Sequence, residues 1–500
     1  MRPLEILLVT SNVVAFVLLT LPLSSGKRRL RLVALLAPLV AGAQVLVEGS
    51  RWQMVPAYAL ASLQFLVWLP RALKPTGTVA GRGRRRRLAT GAGIGIGVLV
   101  LLASITLPVV LPVFRFPPPT GPYQIGTATY HWVDTGRHEI FSSDPKSRRE
   151  LMAQVWYPAR ANASAARAPY VSDADALSSA EARNLHLPGF IFDYWGSVPT
   201  DATPFAPMAA DQTRYPVLIF LEGLSGFRQM NTFQVDELVS HGYIVVGLDQ
   251  PYAAASVVFP DGRQMTGWTR DRMQPLIDQS TSPTANTPMV NGRALASGVV
   301  PYFAQDVAFA VDQLTTLDKA DPDGHLTGRL DLERVGVFGV SLGAIVAGEA
   351  CHEDIRLKAC LMMDAAMPAD VVHAGLEQPS MWLTRDAGTM RLERARNGTW
   401  PESAVREALT SMQAVFAKSL PGDGYVIQVR GMFHLDLTDA PIWTPVAPGL
   451  GLTGPIDGQR GLDIINAYSV AFFDRYLKGR PAPLLDGPAG QYPEALFERR

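Results

Sequence analysis

Cysteine is nearly missing from this 500-residue chain, with only Cys351 and Cys360 present. Two residues cannot build a disulfide framework; they either pair with each other or serve as small buried apolar residues. Histidine is sparse too: its eight copies form no HExxH and no cluster, the chain has no CxxC, and a metal site therefore lacks ligands. Charged residues make up 18% of the chain against 48% hydrophobic, and the two signs are unevenly spread. The first 115 residues hold 14 Lys and Arg against two acids, Glu5 and Glu48, whereas the remainder carries 31 basic and 43 acidic residues, a formal charge of −12. That acidic balance excludes nucleic acid as a partner, because neutralising phosphates needs a basic face.

The hydrophobic excess is concentrated at the N-terminal end. Four apolar stretches, residues 7–23, 32–47, 54–69 and 88–114, have no charge in their interiors, and each approaches or exceeds the ~20 residues that cross a bilayer as a helix. Lys27, Arg28, Arg29 and Arg31 follow the first stretch, and Arg71, Lys74, Arg82 and Arg84 through Arg87 follow the third. The intervening loop, Glu48-Gly49-Ser50-Arg51, is nearly neutral. The positive-inside rule makes the two basic loops cytoplasmic and puts the N-terminus and everything after the fourth span on the outer side. Residues 1–115 are therefore expected to be a four-helix transmembrane region of a multi-pass protein. The competing readings are a cleaved signal peptide and buried soluble helices; the first stretch lacks a basic n-region and a small-x-small cleavage site, and a soluble core does not need four such runs. The Arg84–Arg87 run reads as a topology anchor.

Beyond the Pro-rich exit at residues 116–120, short apolar runs alternate with helical patterns. Strands are expected at residues 151–157, 216–221, 243–248, 334–338, 357–363, 380–384 and 425–429, and helices most clearly at 303–314 and 462–477. Several of the strands are unbroken Val, Ile and Leu runs, as expected where both faces of a sheet are covered. Residues 116–500 are thus expected to form a mostly parallel, doubly wound α/β sheet with helices on both faces, the α/β-hydrolase type of fold. In such sheets chemistry sits beyond the carboxyl ends of the strands. Gly339-Val340-Ser341-Leu342-Gly343 occupies that place, between the strand at 334–338 and a small-residue helix. Two glycines without Cβ atoms allow the tight turn that exposes a nucleophilic serine.

A serine hydroxyl needs a base, and the base needs an acid to fix its tautomer. Downstream of Ser341 only His352, His373 and His434 can serve by chain order. His434 directly follows the last apolar strand, in Arg430-Gly-Met-Phe-His-Leu-Asp, at the same carboxyl edge. His352 falls deep in the helix behind the serine, and His373 has no strand immediately ahead of it. Asp364 and Asp386 each end a strand and both satisfy the order Ser, Asp, His, so spacing leaves the acid open. The oxyanion hole should use the N–H of Leu342 and one from the glycine-rich loop Phe220-Leu-Glu-Gly-Leu-Ser-Gly226, for which Leu224 is the choice. Glu222 in that loop is either a mechanistic acid or, more simply, a structural carboxylate that accepts loop hydrogen bonds.

These residues resemble the platelet-activating factor acetylhydrolase family, in its secreted plasma-type and bacterial branch. The resemblance covers about residues 121–477 and is carried by LMAQVWYP (151–158), YPVLIFLEGLSGFR (215–228), LVSHGYIVVGLD (238–249), GVFGVSLG (336–343), LMMDAAMP (361–368) and GMFHLD (431–436). In that family the acid follows the strand next after the nucleophile in a D-A-x-M-P-like segment, which implies Asp364 rather than Asp386 and supports Leu224 and Leu342 as oxyanion donors. Two departures stand out: Glu222 takes the place of a histidine in the family's His-Gly loop, and the secreted members have no membrane spans. The resemblance implies calcium-independent, cofactor-free hydrolysis of short or oxidised acyl esters of phospholipids. The same three residues would serve a general carboxylesterase or polyesterase, and a membrane sensor carrying an inactive hydrolase domain is the reading from a different class. Residues 159–212 and 259–299 are expected to be lid or pocket insertions, or else ordinary surface elaborations.

Overall fold

The computed structural model describes every residue except 22–31, 74–83, 161–165, 186 and 399–400, and only the backbone of 70–73, 84–90 and 184. The chain divides into two compact units, residues 1–114 with 443–445, and residues 115–442 with 446–500.

The N-terminal unit contains helices α1 (Pro3–Thr20), α2 (Leu36–Glu48), α3 (Val55–Leu73) and α4 (Arg84–Val110). Among the described residues two helical segments, Pro3–Thr20 and Gly91–Val110, are long and apolar enough to cross a membrane, and Leu32–Glu48 is apolar but shorter. The expected basic loops fall largely at residues 27–31 and 74–82, outside the described residues. The unit has a small apolar core around Leu8, Met54 and Ala57, yet it also exposes large apolar side chains and buries polar ones. Leu39, Leu46, Leu66 and Leu99 point outward, while Glu5, Asn12, Gln44 and Gln53 are fully buried. Glu5 is held by Arg51 through two parallel contacts, Nε–Oε1 at 2.7 Å and a terminal guanidinium nitrogen to Oε2 at 2.9 Å. The same guanidinium donates to the Leu111 carbonyl at 2.6 Å, which joins the start of α1, the α2–α3 connection and the end of α4.

The second unit is built on a ten-stranded sheet. Its strands are β1 (Gln124–His138), β2 (Arg148–Ala159), β3 (Ala202–Pro204), β4 (Tyr215–Leu221), β5 (Ile244–Asp249), β6 (Leu330–Val340), β7 (Leu357–Met363), β8 (Ser380–Arg385), β9 (Gly424–Val429) and β10 (Ala495–Arg499). Their order across the sheet is β10-β9-β8-β7-β6-β4-β5-β2-β1-β3. The block from β5 through β4, β6, β7 and β8 to β9 is parallel, and β2 and β10 join its two ends antiparallel. All seven strands expected from the sequence are present, that at 357–363 with the expected bounds, that at 243–248 shifted by one residue and the others longer by one to six residues; β1, β3 and β10 lie toward the sheet's margins and were not expected. Alternation along β4 explains the unbroken apolar run. Val217, Ile219 and Leu221 pack with Val307, Val311 and Ile345 from the helices on one face. Phe220 stacks on Phe338 at 5.0 Å, and Phe338 meets Phe473 of the long helix Gly458–Lys478 on the other. Both faces are therefore apolar because both are covered.

Cys351 and Cys360 form a disulfide between the helix Leu342–Glu353 and β7, which resolves the choice the sequence left open in favour of pairing.

Candidate active site

The parallel strands end on one edge, and the sharpest turn there is at Ser341. Strand β6 stops at Val340, helix α5 (Leu342–Glu353) starts at Leu342, and Ser341 between them has φ 56° and ψ −121°. A non-glycine residue in this region stores about 1–3 kcal/mol of strain, which the surroundings must hold. They do so through close backbone approach. A Cβ on Gly339 would lie 2.4 Å from the Gly343 carbonyl, and one on Gly343 would lie 2.1 Å from the Leu221 carbonyl oxygen, so neither position tolerates a side chain. The Ser341 N–H donates to the Met363 carbonyl at 2.9 Å, which ties the serine to the last residue of β7.

Asp364 follows directly, also with positive φ, 54°. Its carboxylate is buried and collects donors from two neighbouring elements. Thr384 Oγ1 donates to Oδ1 at 2.6 Å, His434 Nδ1 lies 2.5 Å from Oδ2, and Arg385 Nε lies 2.7 Å from the same oxygen. Burial by itself would raise the Asp364 pKa, but the Arg385 charge and the hydrogen bond from His434 outweigh it and hold the carboxyl far below the usual range. His434 begins a short turn after β9 that is pinned by Asp436, whose Oδ2 accepts from the Phe433 and Gly454 N–H groups, both at 2.6 Å. Burial raises Asp436 to about 6 despite these two bonds.

The loop after β4 passes over the serine. A Cβ on Gly223 would come within 3.2 Å of Ser341 Cβ, and the turn is fixed by Gly226 N–H to the Gly223 carbonyl and Ser225 N–H to the Ala253 carbonyl, both at 2.8 Å. Leu224 sits in this turn. Leu342 is the first residue of α5, where a helix has no acceptor of its own for the N–H. Glu222 points away behind the loop, fully buried, with Oε1 accepting the Gln250 N–H at 2.8 Å. Burial and the nearby Asp249 carboxylate push its pKa well above the usual carboxylate range, whereas Asp249 is paired with Arg228.

Leu224, Ser341, Leu342, Asp364 and His434 all line one cavity of about 800 Å³. Both stretches expected to be insertions contribute walls, Arg183 and Leu185 from one, and Thr269 to Thr281, including Ile277, from the other. The remaining sequence candidates lie elsewhere. Asp386 caps the helix Ala387–Asn397 by accepting from Gly388 and Thr389, and His352 and His373 are exposed at helix ends. Sequence reasoning missed Thr384, Arg385 and Glu393, the side chains that hold Asp364 and His434. Strand register could have found the first, since Met363 pairs with Leu383 and so sets Asp364 beside Thr384.

A mostly parallel mixed sheet with helices on both faces and a serine at a tight strand-to-helix turn is the architecture of the α/β-hydrolase class. Within it, the sequence profile of platelet-activating factor acetylhydrolase, isoform II, matches residues 110–480, and the chain belongs to that family. Among its relatives, the platelet-activating factor acetylhydrolase of Canis lupus familiaris is 23% identical over 292 residues, covering 57% of this chain and 62% of the dog protein. A probable 1-alkyl-2-acetylglycerophosphocholine esterase of Arthroderma benhamiae is 24% identical over 304 residues, covering 57% and 67%. The chain spans about three fifths of the length of the first of these relatives. A ferulic acid esterase from Streptomyces cinnamoneus superposes with a TM-score of 0.58 at 28% identity, over 77% of this chain and 99% of that one.

Proposed function

We propose that the chain is a membrane-anchored serine esterase that cleaves short-chain acyl esters of phospholipid-like substrates without a cofactor. His434 takes the Ser341 proton, Ser341 attacks the ester carbonyl, the Leu224 and Leu342 N–H groups receive the oxyanion, and Asp364 orients the imidazole; water then releases the acyl group. The observation that carries this reading is the 2.5 Å His434–Asp364 pair beside a strained Ser341 at one cavity. The family's name and the fungal relative's name support a phospholipid-like ester. The outward-facing leucines of residues 1–114 and the four apolar stretches support membrane spans, and the basic residues after the first and third stretches support an extracytoplasmic catalytic domain. The two insertions act as pocket walls in this reading.

Labelling by a fluorophosphonate, lost in Ser341→Ala together with turnover on the order of 10⁶-fold, is the expected result. Wild-type protein that neither labels nor cleaves any ester sinks the esterase reading and favours an inactive sensor domain. The ferulic acid esterase likeness favours a second reading, a general carboxylesterase. Comparing short-acyl phospholipid with soluble p-nitrophenyl esters separates the two: a preference in kcat/KM for the phospholipid supports the first.

A further inference from the structure

The acid–base pair is enclosed in a ring of side chains that the catalytic scheme does not use. From Asp364 Oδ2 the contacts run to Arg385 Nε at 2.7 Å, from the Arg385 guanidinium to Glu393 Oε2, from that oxygen to the His434 main-chain N–H at 3.1 Å, and from His434 Nδ1 back to Asp364 at 2.5 Å. Four residues from the ends of β7 and β8, the helix Ala387–Asn397 and the turn after β9 thus close on one another. Asp364, Arg385 and Glu393 are all nearly buried, yet Arg385 and Glu393 still line the cavity.

We propose that Arg385 and Glu393 are a positioning pair for the acid and base, holding Asp364 and His434 in their reactive arrangement. This rests on the serine esterase reading. Two arguments support it. The first is geometric: Asp364 fixes the ring of His434 and Glu393 fixes its backbone, so the histidine is held at two points by groups that Arg385 holds together. The second is charge. With a neutral imidazole the ring carries one net negative charge, and the imidazolium formed during acyl transfer brings it to zero. Without Glu393 the Arg385 charge would cancel that of Asp364, and the imidazolium would add an uncompensated positive charge; without Arg385 the buried carboxylates of Asp364 and Glu393 would lose the cation between them.

The test uses full-length protein and the variants Glu393→Gln, Arg385→Lys and Arg385→Met, with kcat and KM for a short-acyl ester expressed per fluorophosphonate-titrated site. Outer partners of metal-ligating histidines cost about 10–100-fold when removed, and the same scale is expected for a catalytic histidine. Glu393→Gln keeps the shape and an acceptor for His434 but loses the charge, and kcat should fall about 10-fold with KM within twofold. Arg385→Met should fall about 100-fold, and Arg385→Lys, which restores the charge without the fork, should recover part of that loss. A merely structural ion pair would lower the titre of sites or the melting temperature and leave kcat per site unchanged. That outcome, or a loss confined to KM, overturns the proposal; if Arg385→Met does not fold, the other two variants decide it. An inactive wild type instead counts against the esterase reading, so the two failures are distinguishable.

Discussion

The two sides of the cavity are held by different kinds of force. On the nucleophile side almost everything is backbone. Ser341 is fixed in a strained conformation because Gly339 and Gly343 let main chain approach main chain at distances no Cβ would permit, and Gly223 brings the opposite loop over the serine. On the acid–base side almost everything is side chain, with Asp364 held by Thr384, Arg385 and His434, and the histidine turn held by Asp436 and Glu393. Steric constraints leave no room for a Cβ, so a substitution there must move main chain. Ion pairs and hydrogen bonds are graded, and a substitution there should lower the rate without destroying the fold.

The largest effect that sharpens this contrast is expected at Asp364. Asp364→Asn removes the carboxylate charge, lets an amide NH2 face His434 Nδ1 and so favours the wrong tautomer, and leaves Arg385 facing a neutral group; kcat should fall about 10⁴-fold while the protein still folds and its serine still labels slowly. A kcat within tenfold of wild type would remove Asp364 from the mechanism. Next is the steric side. Gly343→Ala sets a Cβ against the Leu221 carbonyl, and a shift of the turn by about 1 Å should cost on the order of 10²-fold in kcat together with about 1–3 kcal/mol of stability. Circular-dichroism melting and ester turnover measured on the same sample check it; an unchanged melting temperature would mean that the turn is looser than its contacts imply.

The same contrast explains what the sequence revealed. The turn at Ser341 was legible because its constraints are local: five consecutive residues, a strand before them and a helix after. The central strands were legible because both sheet faces are apolar, whereas β1 mixes polar and apolar residues with no unbroken apolar run, β3 has three residues and β10 is a short marginal strand. The acid–base side was only half legible. Asp364 and Asp386 each follow a strand, and spacing carries no information that one accepts from His434 while the other caps a helix. Arg385 and Glu393 escaped notice because their roles depend on partners brought together by strand order rather than by chain order. In the N-terminal unit, the burial of Asn12 and Gln44 could not be read from the sequence, because an apolar run does not say which way its few polar residues face.

A smaller effect is expected from the disulfide, which links the helix behind the nucleophile to the strand that ends at Asp364 across nine residues of sequence. Replacing both Cys351 and Cys360 by Ala removes a closed loop of that length, and the loss should be about 2–3 kcal/mol of unfolding free energy. Since neither cysteine lines the cavity, kcat should stay within about twofold. A large kcat loss at unchanged stability would show that the link tunes the site rather than the fold.

The smallest effect, and the one that tests the boundary between the two sides, lies at Glu222. This residue sits in the loop over the nucleophile, yet it is held by a side-chain hydrogen bond to Gln250 N–H, and its other oxygen has no partner among the described residues. Burial and the Asp249 carboxylate raise its pKa in the folded state, whereas in the unfolded chain it ionises near the ordinary 4.5. The folded state therefore keeps a proton that the unfolded state releases. The stability that this proton confers is complete below pH 4.5 and declines as pH rises toward the folded-state value, by about 1.4 kcal/mol per pH unit in the limit of a full proton difference. Glu222→Gln replaces a protonated acid with a neutral group of the same shape. Its melting temperature should match wild type below pH 4.5 and exceed it increasingly as pH rises above that value, with ester turnover within about twofold throughout. A melting difference that is flat with pH would mean that Glu222 is ionised behind the loop. A tenfold drop in kcat would mean that this residue takes part in the chemistry and not only in holding the loop that covers it.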